Sequence, residues 1–180
     1  MPLLKNDHYT SEDYWNLPEE ERAELINGKF YDMAPPSRIH QKLVSKLTAL
    51  FNQYITDHHG SCEVYPAPFA VNLDADDKDW VEPDVSVICD PNKLTDRGCS
   101  GAPDLIFEIV SPASRKMDYS LKNMIYSQAG VREYWIVDPA KEKVVVYCYE
   151  NDSDPCLYSF DASQNNIIIT FRNKLWYKRG

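Results

Sequence analysis

The chain predicts an α+β (α/β) fold in which a β-sheet is flanked by helices, and three observations carry that expectation. Four strand-like apolar runs, VEPDVSVIC, PDLIFEIVS, REYWIVD and KVVVYCYE, crowd the stretch from Val81 to Glu150. Two segments at helical spacing, one opening at Ser37 and one between Ser111 and Gly130, lie among the strand signals. A length of 180 residues suits one domain with a real core.

The elements follow in order. Thr10 to Asp13 has the pattern of a capping box, opening a short helix with Trp15 and Leu17 as apolar anchors. Pro18 starts an acidic turn, and Asn27-Gly28 between Leu25-Ile26 and Phe30-Tyr31 signals a type I′ hairpin. Ser37 caps a helix of about 20 residues whose apolar face is Ile39, Leu43, Leu47, Leu50, Phe51 and Tyr54. CEVYPAPFAVNL is β-like but carries two prolines, which predicts an edge or irregular strand. Asp90 to Gly101 reads as a polar loop. The second long helix points Met117, Leu121, Met124, Ile125 and Gln128 inward and stops at Gly130. CLYSF and NIIITF suggest a terminal hairpin. Within a single domain these signals divide as a helical and hairpin segment (1–36), a core (37–150) and the terminal hairpin (151–180).

Bulk properties narrow the function. Twelve tyrosines and four tryptophans argue against disorder. No apolar run reaches the roughly 20 residues that span a bilayer, and MPLLKNDHYT lacks a signal-peptide core, so no membrane association and a cytoplasmic location are expected. Five cysteines without a CxxC pair predict neither disulfides nor structural zinc; Cys89 and Cys148 read as small buried hydrophobes. A net charge of −9 weighs against non-specific coating of nucleic acid, though a local basic strip could still bind it.

Two acids stand out. Asp84 and Glu108 each sit in an apolar strand pattern, where a lone charge must be neutralised, paired or metal-bound. Asp104 shares a strand face with Glu108 but lies about 13 Å away at roughly 3.3 Å per residue, too far to share an ion. Asp84 follows Pro83, which marks a bend that can aim a carboxylate into a cleft; Glu82, two residues back, is its rival. A carboxylate from each of two neighbouring strands suggests a divalent-cation site and metal-assisted hydrolysis.

The ordered series Pro83-Asp84, Glu108-Ile109-Val110-Ser111-Pro112, Asp118, Lys122, Tyr126 and Gly130-Val131-Arg132-Glu133-Tyr134-Trp135 resembles the PD-(D/E)xK nuclease superfamily. With Glu24 ahead of the hairpin, and Pro36-Ser37 with His40 at the helix start, it is similar more narrowly to the restriction endonuclease family called Uma-two. The resemblance spans roughly residues 20 to 150. It implies a restriction-endonuclease-like mixed sheet flanked by helices. It also implies Mg²⁺ or Mn²⁺ held by Asp84, Glu108 and the Ile109 carbonyl, oxygen ligands that suit those ions. The implied activity is a metal-dependent DNA endonuclease acting on double-stranded DNA as a homodimer.

One position departs from the pattern: Val110 stands two residues after Glu108, where a catalytic lysine is common. Lys122 on the following helix is the substitute, against the bland reading of an Asp118–Lys122 surface pair worth about 0.3–0.5 kcal/mol. Glu24, His40 and Tyr126 are accessory candidates, each with an ordinary alternative in capping or core packing. Lys42, Lys46, Arg115, Lys116, Lys174, Lys178 and Arg179 are candidate phosphate contacts. Val110 and the acidic charge favour the alternative of a non-catalytic nucleic-acid or protein interaction module.

Overall fold

The computed structural model describes residues 8–76, 78–151 and 153–160. Helix α1 (Ser11–Trp15) opens on the expected capping box, Thr10 and Asp13 each accepting from the other's backbone N–H. Tyr14, not Trp15, is the side chain it buries, stacked on Trp80 at 5.6 Å; Trp15 is 37% exposed. Strands β1 (Ala23–Ile26) and β2 (Lys29–Asp32) form the hairpin, with φ +50° at Asn27 and +70° at Gly28 as a type I′ turn requires.

Helix α2 (Arg38–Asp57) is capped by Ser37, whose Oγ accepts from the His40 N–H at 3.2 Å. Its buried stripe is Leu43, Val44, Leu47, Phe51 and Ile55. Ile39 and Leu50, expected inside, are 37% and 40% exposed. Leu50 lies about 100° round the helix from Phe51, and Ile39 sits in the first turn.

The remaining strands are β3 (Glu63–Pro66), β4 (Val71–Asn72), β5 (Trp80–Val81), β6 (Val85–Ile88), β7 (Leu94–Thr95), β8 (Gly98–Ser100), β9 (Leu105–Ile109), β10 (Glu133–Asp138), β11 (Lys143–Cys148) and β12 (Cys156–Ser159). They make two six-stranded mixed sheets, ordered β2-β1-β5-β4-β8-β7 and β12-β11-β10-β9-β6-β3. The fold is α+β. The β9–β10 pair is parallel, the helical crossover between them covering the sheet. VEPDVSVIC is not one strand: Glu82-Pro83-Asp84 breaks it, β5 joining the first sheet and β6 the second. Likewise the expected loop from Asp90 to Gly101 holds the β7–β8 hairpin, which extends the first sheet. CLYSF becomes β12, paired with β11; NIIITF lies outside the described residues.

Alternation along β9 divides the core. Leu105, Phe107 and Ile109 face α2, where Phe51, Phe107 and Trp135 meet edge to face with centroids 4.6 to 5.9 Å apart. Ile106 and Val110 face the other way, packing with Val71 and Val81 of the first sheet and with Tyr126. The crossover is a π-helical segment, Met117–Lys122, continued as α3 (Asn123–Ala129), and Gly130 at φ +90° ends it. The wider π turn rotates the inward face from the expected phase. Asp118, Lys122 and Tyr126 are buried there, while Met124 is 47% exposed and Gln128 is also outside.

Cys62 and Cys89 are joined in a disulfide, which corrects the expectation of none. The β3–β6 register pairs Glu63 with Ile88, so the next residue on each strand faces the other. Cysteine spacing in sequence carries no sign of that antiparallel pairing. With the bond formed, cysteine usage no longer argues for a reducing compartment. No helix among the described residues is long and apolar enough to cross a membrane.

Candidate active site: a buried carboxylate cluster around Lys122

Strand register places the two singled-out acids. Antiparallel pairing of Val85 with Phe107 puts Asp84, one residue before β6, opposite Glu108. Cross-strand neighbours of this kind have Cβ atoms about 4.5–5.5 Å apart. By alternation, Glu108 lies on the face of Ile106 and Val110, turned from α2. Both acids are buried, Asp84 at 8% and Glu108 at 4% exposure.

Each carboxylate is held by one oxygen. Asp84 Oδ2 accepts from the Ile109 N–H at 2.6 Å and meets His40 Nε2 at 3.1 Å. Glu108 Oε1 accepts from Lys122 Nζ at 2.8 Å and from the Tyr126 hydroxyl at 2.6 Å. Lys122 Nζ also donates to Glu24 Oε1 at 2.9 Å, and the same Glu24 oxygen accepts from the Glu82 N–H at 2.9 Å. Asp118 Oδ2 accepts from Ser114 Oγ at 2.6 Å; its Oδ1 is buried and has no hydrogen-bond partner among the described residues.

The electrostatics are lopsided. Four buried carboxylates (Glu24, Asp84, Glu108 and Asp118) share one lysine and one histidine among the described residues. Burial pushes the Glu108 carboxyl well above its usual range; Lys122 opposes this, and Asp84, Asp118 and Glu24 add to it. Burial also raises Asp118, to about 6, against the pull of Lys122 and Ser114. For Lys122, burial favours the neutral amine, but Glu108 and Glu24 outweigh it and hold the group as an ammonium. Burial would lower His40; its bond to Asp84 wins and leaves it raised. Burial, with Glu108 next, keeps Tyr126 a phenol and so a donor. The cluster therefore favours uptake of positive charge, whether as protons or as a cation.

The structure thus brings Asp84, Glu108, Lys122, Glu24, His40 and Tyr126 into one linked group. Lys122 is buried at 5% exposure, so the surface-pair reading of Asp118 and Lys122 does not hold. Glu82 is not the alternative ligand: Tyr14 and Arg22 bind its carboxylate. Asp104 is structural, accepting from the Cys89 N–H at 2.8 Å and paired with Arg132 at 3.3 Å. Val110 packs in the core, donating its N–H to Val137 at 2.8 Å. Asp118 was not singled out as a site residue; its signal was the spacing of four from Lys122, which puts both on one helix face, here the buried one.

Among the described residues no three His, Cys, Asp or Glu side chains are grouped to hold a metal. Asp84 and Glu108, facing each other across β6 and β9, offer a smaller donor set. Asp84 Oδ1 and Glu108 Oε2 accept no hydrogen bond among the described residues. Hard oxygen donors in an acid-rich cluster fit Mg²⁺ or Mn²⁺ and do not suit zinc.

Three comparisons with known proteins bear on this geometry. The sequence profile of the Uma2 family, described as "Putative restriction endonuclease", matches residues 11–176. Two proteins of Synechocystis sp. (strain ATCC 27184 / PCC 6803 / Kazusa) are similar. "Uncharacterized protein slr1290" is 24% identical over 164 residues, covering 91% of this chain and 83% of its own. "Uncharacterized protein sll1609" is 27% identical over 167 residues, covering 90% and 93%. The crystal structure of a putative nuclease belonging to DUF820 from Anabaena variabilis ATCC 29413 superposes with a TM-score of 0.67 at 20% identity, covering 83% of this chain and 84% of that one. At that identity the likeness establishes the fold.

Proposed function

The chain belongs to the Uma2 family of restriction-endonuclease-like proteins, and from that premise we propose that it is a Mg²⁺-dependent DNA endonuclease centred on Asp84, Glu108 and Lys122. The observation that carries the reading is the facing of Asp84 and Glu108 across β6 and β9, with a lysine bound to one of them. Asp84, Glu108 and the Ile109 carbonyl would hold the cation. Mg²⁺ bound there would lower the pKa of a water and offset charge on the phosphate.

The chain's own residues do the rest. His40 and the Ile109 N–H grip one oxygen of Asp84 and so fix its rotamer, leaving Oδ1 for a ligand. Tyr126 and Lys122 do the same for Glu108. The Lys122 ammonium takes the electrostatic role of the lysine missing at Val110, reducing the negative charge that an approaching phosphodiester meets. Glu24 holds Lys122 from the other side. Cleavage of both strands of a duplex calls for two such sites, which a homodimer would supply.

The test is cleavage of supercoiled plasmid in Mg²⁺ or Mn²⁺ by wild type, Asp84→Ala and Glu108→Ala. Wild type is expected to nick or linearise the plasmid, and both variants to lose at least about a hundredfold in rate. Equal activity in all three removes the site assignment. Mn²⁺ binding at this cluster without any cleavage selects the interaction-module reading, which Val110 favours.

A further inference from the structure

We propose that the groove on the outer side of the Lys122 segment is where the DNA strand flanking the scissile bond lays its phosphates, with Lys116, Lys141 and Lys143 as the contacts. This rests on the nuclease reading above and adds the surface that grips the substrate. The groove has a volume of about 610 Å³ and is lined by Pro112, Arg115, Lys116, Tyr119, Ser120 and Lys141. It begins three residues beyond Ile109, where β9 hands over to the crossover.

Charge singles this surface out. In a chain with 28 acids and 19 bases, four bases gather around one tyrosine. Lys141 and Lys143 lie over the Tyr119 ring, 5.8 and 5.5 Å from its centroid. Arg115 is committed, forming an ion pair with the buried Asp138, which also accepts from the Tyr119 hydroxyl at 3.0 Å. That pair neutralises Asp138 beneath the groove. Lys116, Lys141 and Lys143 have no carboxylate within ion-pair distance among the described residues, and Glu142 is the exposed acid on the adjoining turn. Three ammonium groups without a carboxylate partner among the described residues, two of them held over one ring, fit a polyanionic backbone better than any neutral partner.

Position ties the groove to the chemistry. The segment that buries Asp118 and Lys122 exposes Lys116 and Ser120 on its other side. A helix is about 10–12 Å across. The groove would therefore hold phosphates a nucleotide or more along the strand from the one at Glu108.

The test compares wild type with Lys116→Ala/Lys141→Ala/Lys143→Ala, which leaves Arg115 and the carboxylate cluster intact. Binding of a fluorescent 30-base-pair duplex is read by anisotropy in Ca²⁺, from about 50 to 200 mM salt. The triple variant is expected to bind at least about tenfold more weakly at the low end, with a salt slope shallower by roughly 2 to 3 units. Its Tm and its Mn²⁺ titration should match wild type, and Lys29→Ala/Lys78→Ala should bind as wild type does. If wild type binds and cleaves DNA while the triple variant keeps the same affinity and slope, the groove assignment is overturned and the nuclease reading stands. If wild type binds neither duplex nor single strand, both fall.

Discussion

Burying an ammonium group costs several kcal/mol unless carboxylates meet it, and Lys122 is met twice, by Glu108 at 2.8 Å and by Glu24 at 2.9 Å. Lys122→Met should therefore behave unlike a surface substitution. Removing it strands two carboxylates in the core, and the expected loss is about 3–5 kcal/mol at neutral pH, together with loss of cleavage. Combining it with Glu24→Gln should recover part of the loss, since the two residues are one coupled unit. Urea unfolding followed by tryptophan fluorescence reads both; a loss under about 0.5 kcal/mol would return Lys122 to the surface. Asp118 supplies the pH dependence. Its folded pKa is raised from 3.8 to about 6. A raised carboxyl pKa favours the protonated form in the folded state, so its benefit is complete below the unfolded value and is lost as pH climbs towards 6. Above that, the ionised group weighs on the fold by about 3 kcal/mol at roughly 1.4 kcal/mol per pKa unit. Asp118→Asn, whose amide oxygen can still accept from Ser114, should raise Tm at pH 8 in EDTA and match wild type at pH 4. A variant less stable at pH 8 contradicts this.

At the scale of elements, two devices aim the site: the Glu82-Pro83-Asp84 break between sheets and the π-helical turn that carries Lys122 inward. The disulfide ties β3 to β6 at the end of β6 away from Asp84, holding the strand that follows the break. Closing a loop of sequence separation 27 should stabilise the fold by about 3–4 kcal/mol on chain entropy. Cys62→Ser/Cys89→Ser should show that loss in thermal unfolding, and intact mass with and without reductant reports the bond directly. Two glycines separate crowding from backbone preference. At Gly98, φ is +131° and a Cβ would lie 2.0 Å from the Ala70 carbonyl oxygen; at Gly130, φ is +90° and nothing lies within 4 Å. Gly98→Ala should displace β8 and prevent normal folding, whereas Gly130→Ala should cost only about 1–2 kcal/mol of left-handed strain. Equal losses would show that β8 can shift. Elements like these mark how far the sequence could be read. The Thr10 capping box, the Ser37 cap, the Asn27-Gly28 turn and the long strands were legible, because each depends on neighbours in the chain. Asp84, Glu108 and Lys122 were legible as an ordered series of residue types. The first sheet beyond its β1–β2 hairpin was not, since β4, β5, β7 and β8 are two or three residues long and form only by strand pairing. Nor was the π turn, because helical projection assumes 3.6 residues per turn.

For the whole molecule, net charge sharpens the question of metal. A chain at −9 is stabilised by any salt through general screening, so a rise in Tm with a divalent cation means little by itself. The buried cluster predicts something more specific. Cation and protons compete for the same surplus of negative charge, Glu108 and Asp118 both being raised by burial and then by Asp84 and Glu24. Binding must then release protons and strengthen with pH. Ligation to the folded state alone adds about 2.7 kcal/mol at a hundredfold excess over Kd. For a chain of this size that corresponds to a Tm rise of roughly 5–10 °C. The expected pattern is that full rise with Mn²⁺ at pH 8, a smaller one at pH 5.5, and almost none at either pH in Asp84→Asn or Glu108→Gln. KCl at matched ionic strength separates the two causes, because screening acts on all 28 acids whereas ligation needs two of them. Scanning calorimetry across this grid of ion, pH and variant decides it. A KCl shift as large as the Mn²⁺ shift, unchanged in the variants, would assign the stabilisation to the surface and leave Glu108, with Glu24, as an internal socket for Lys122.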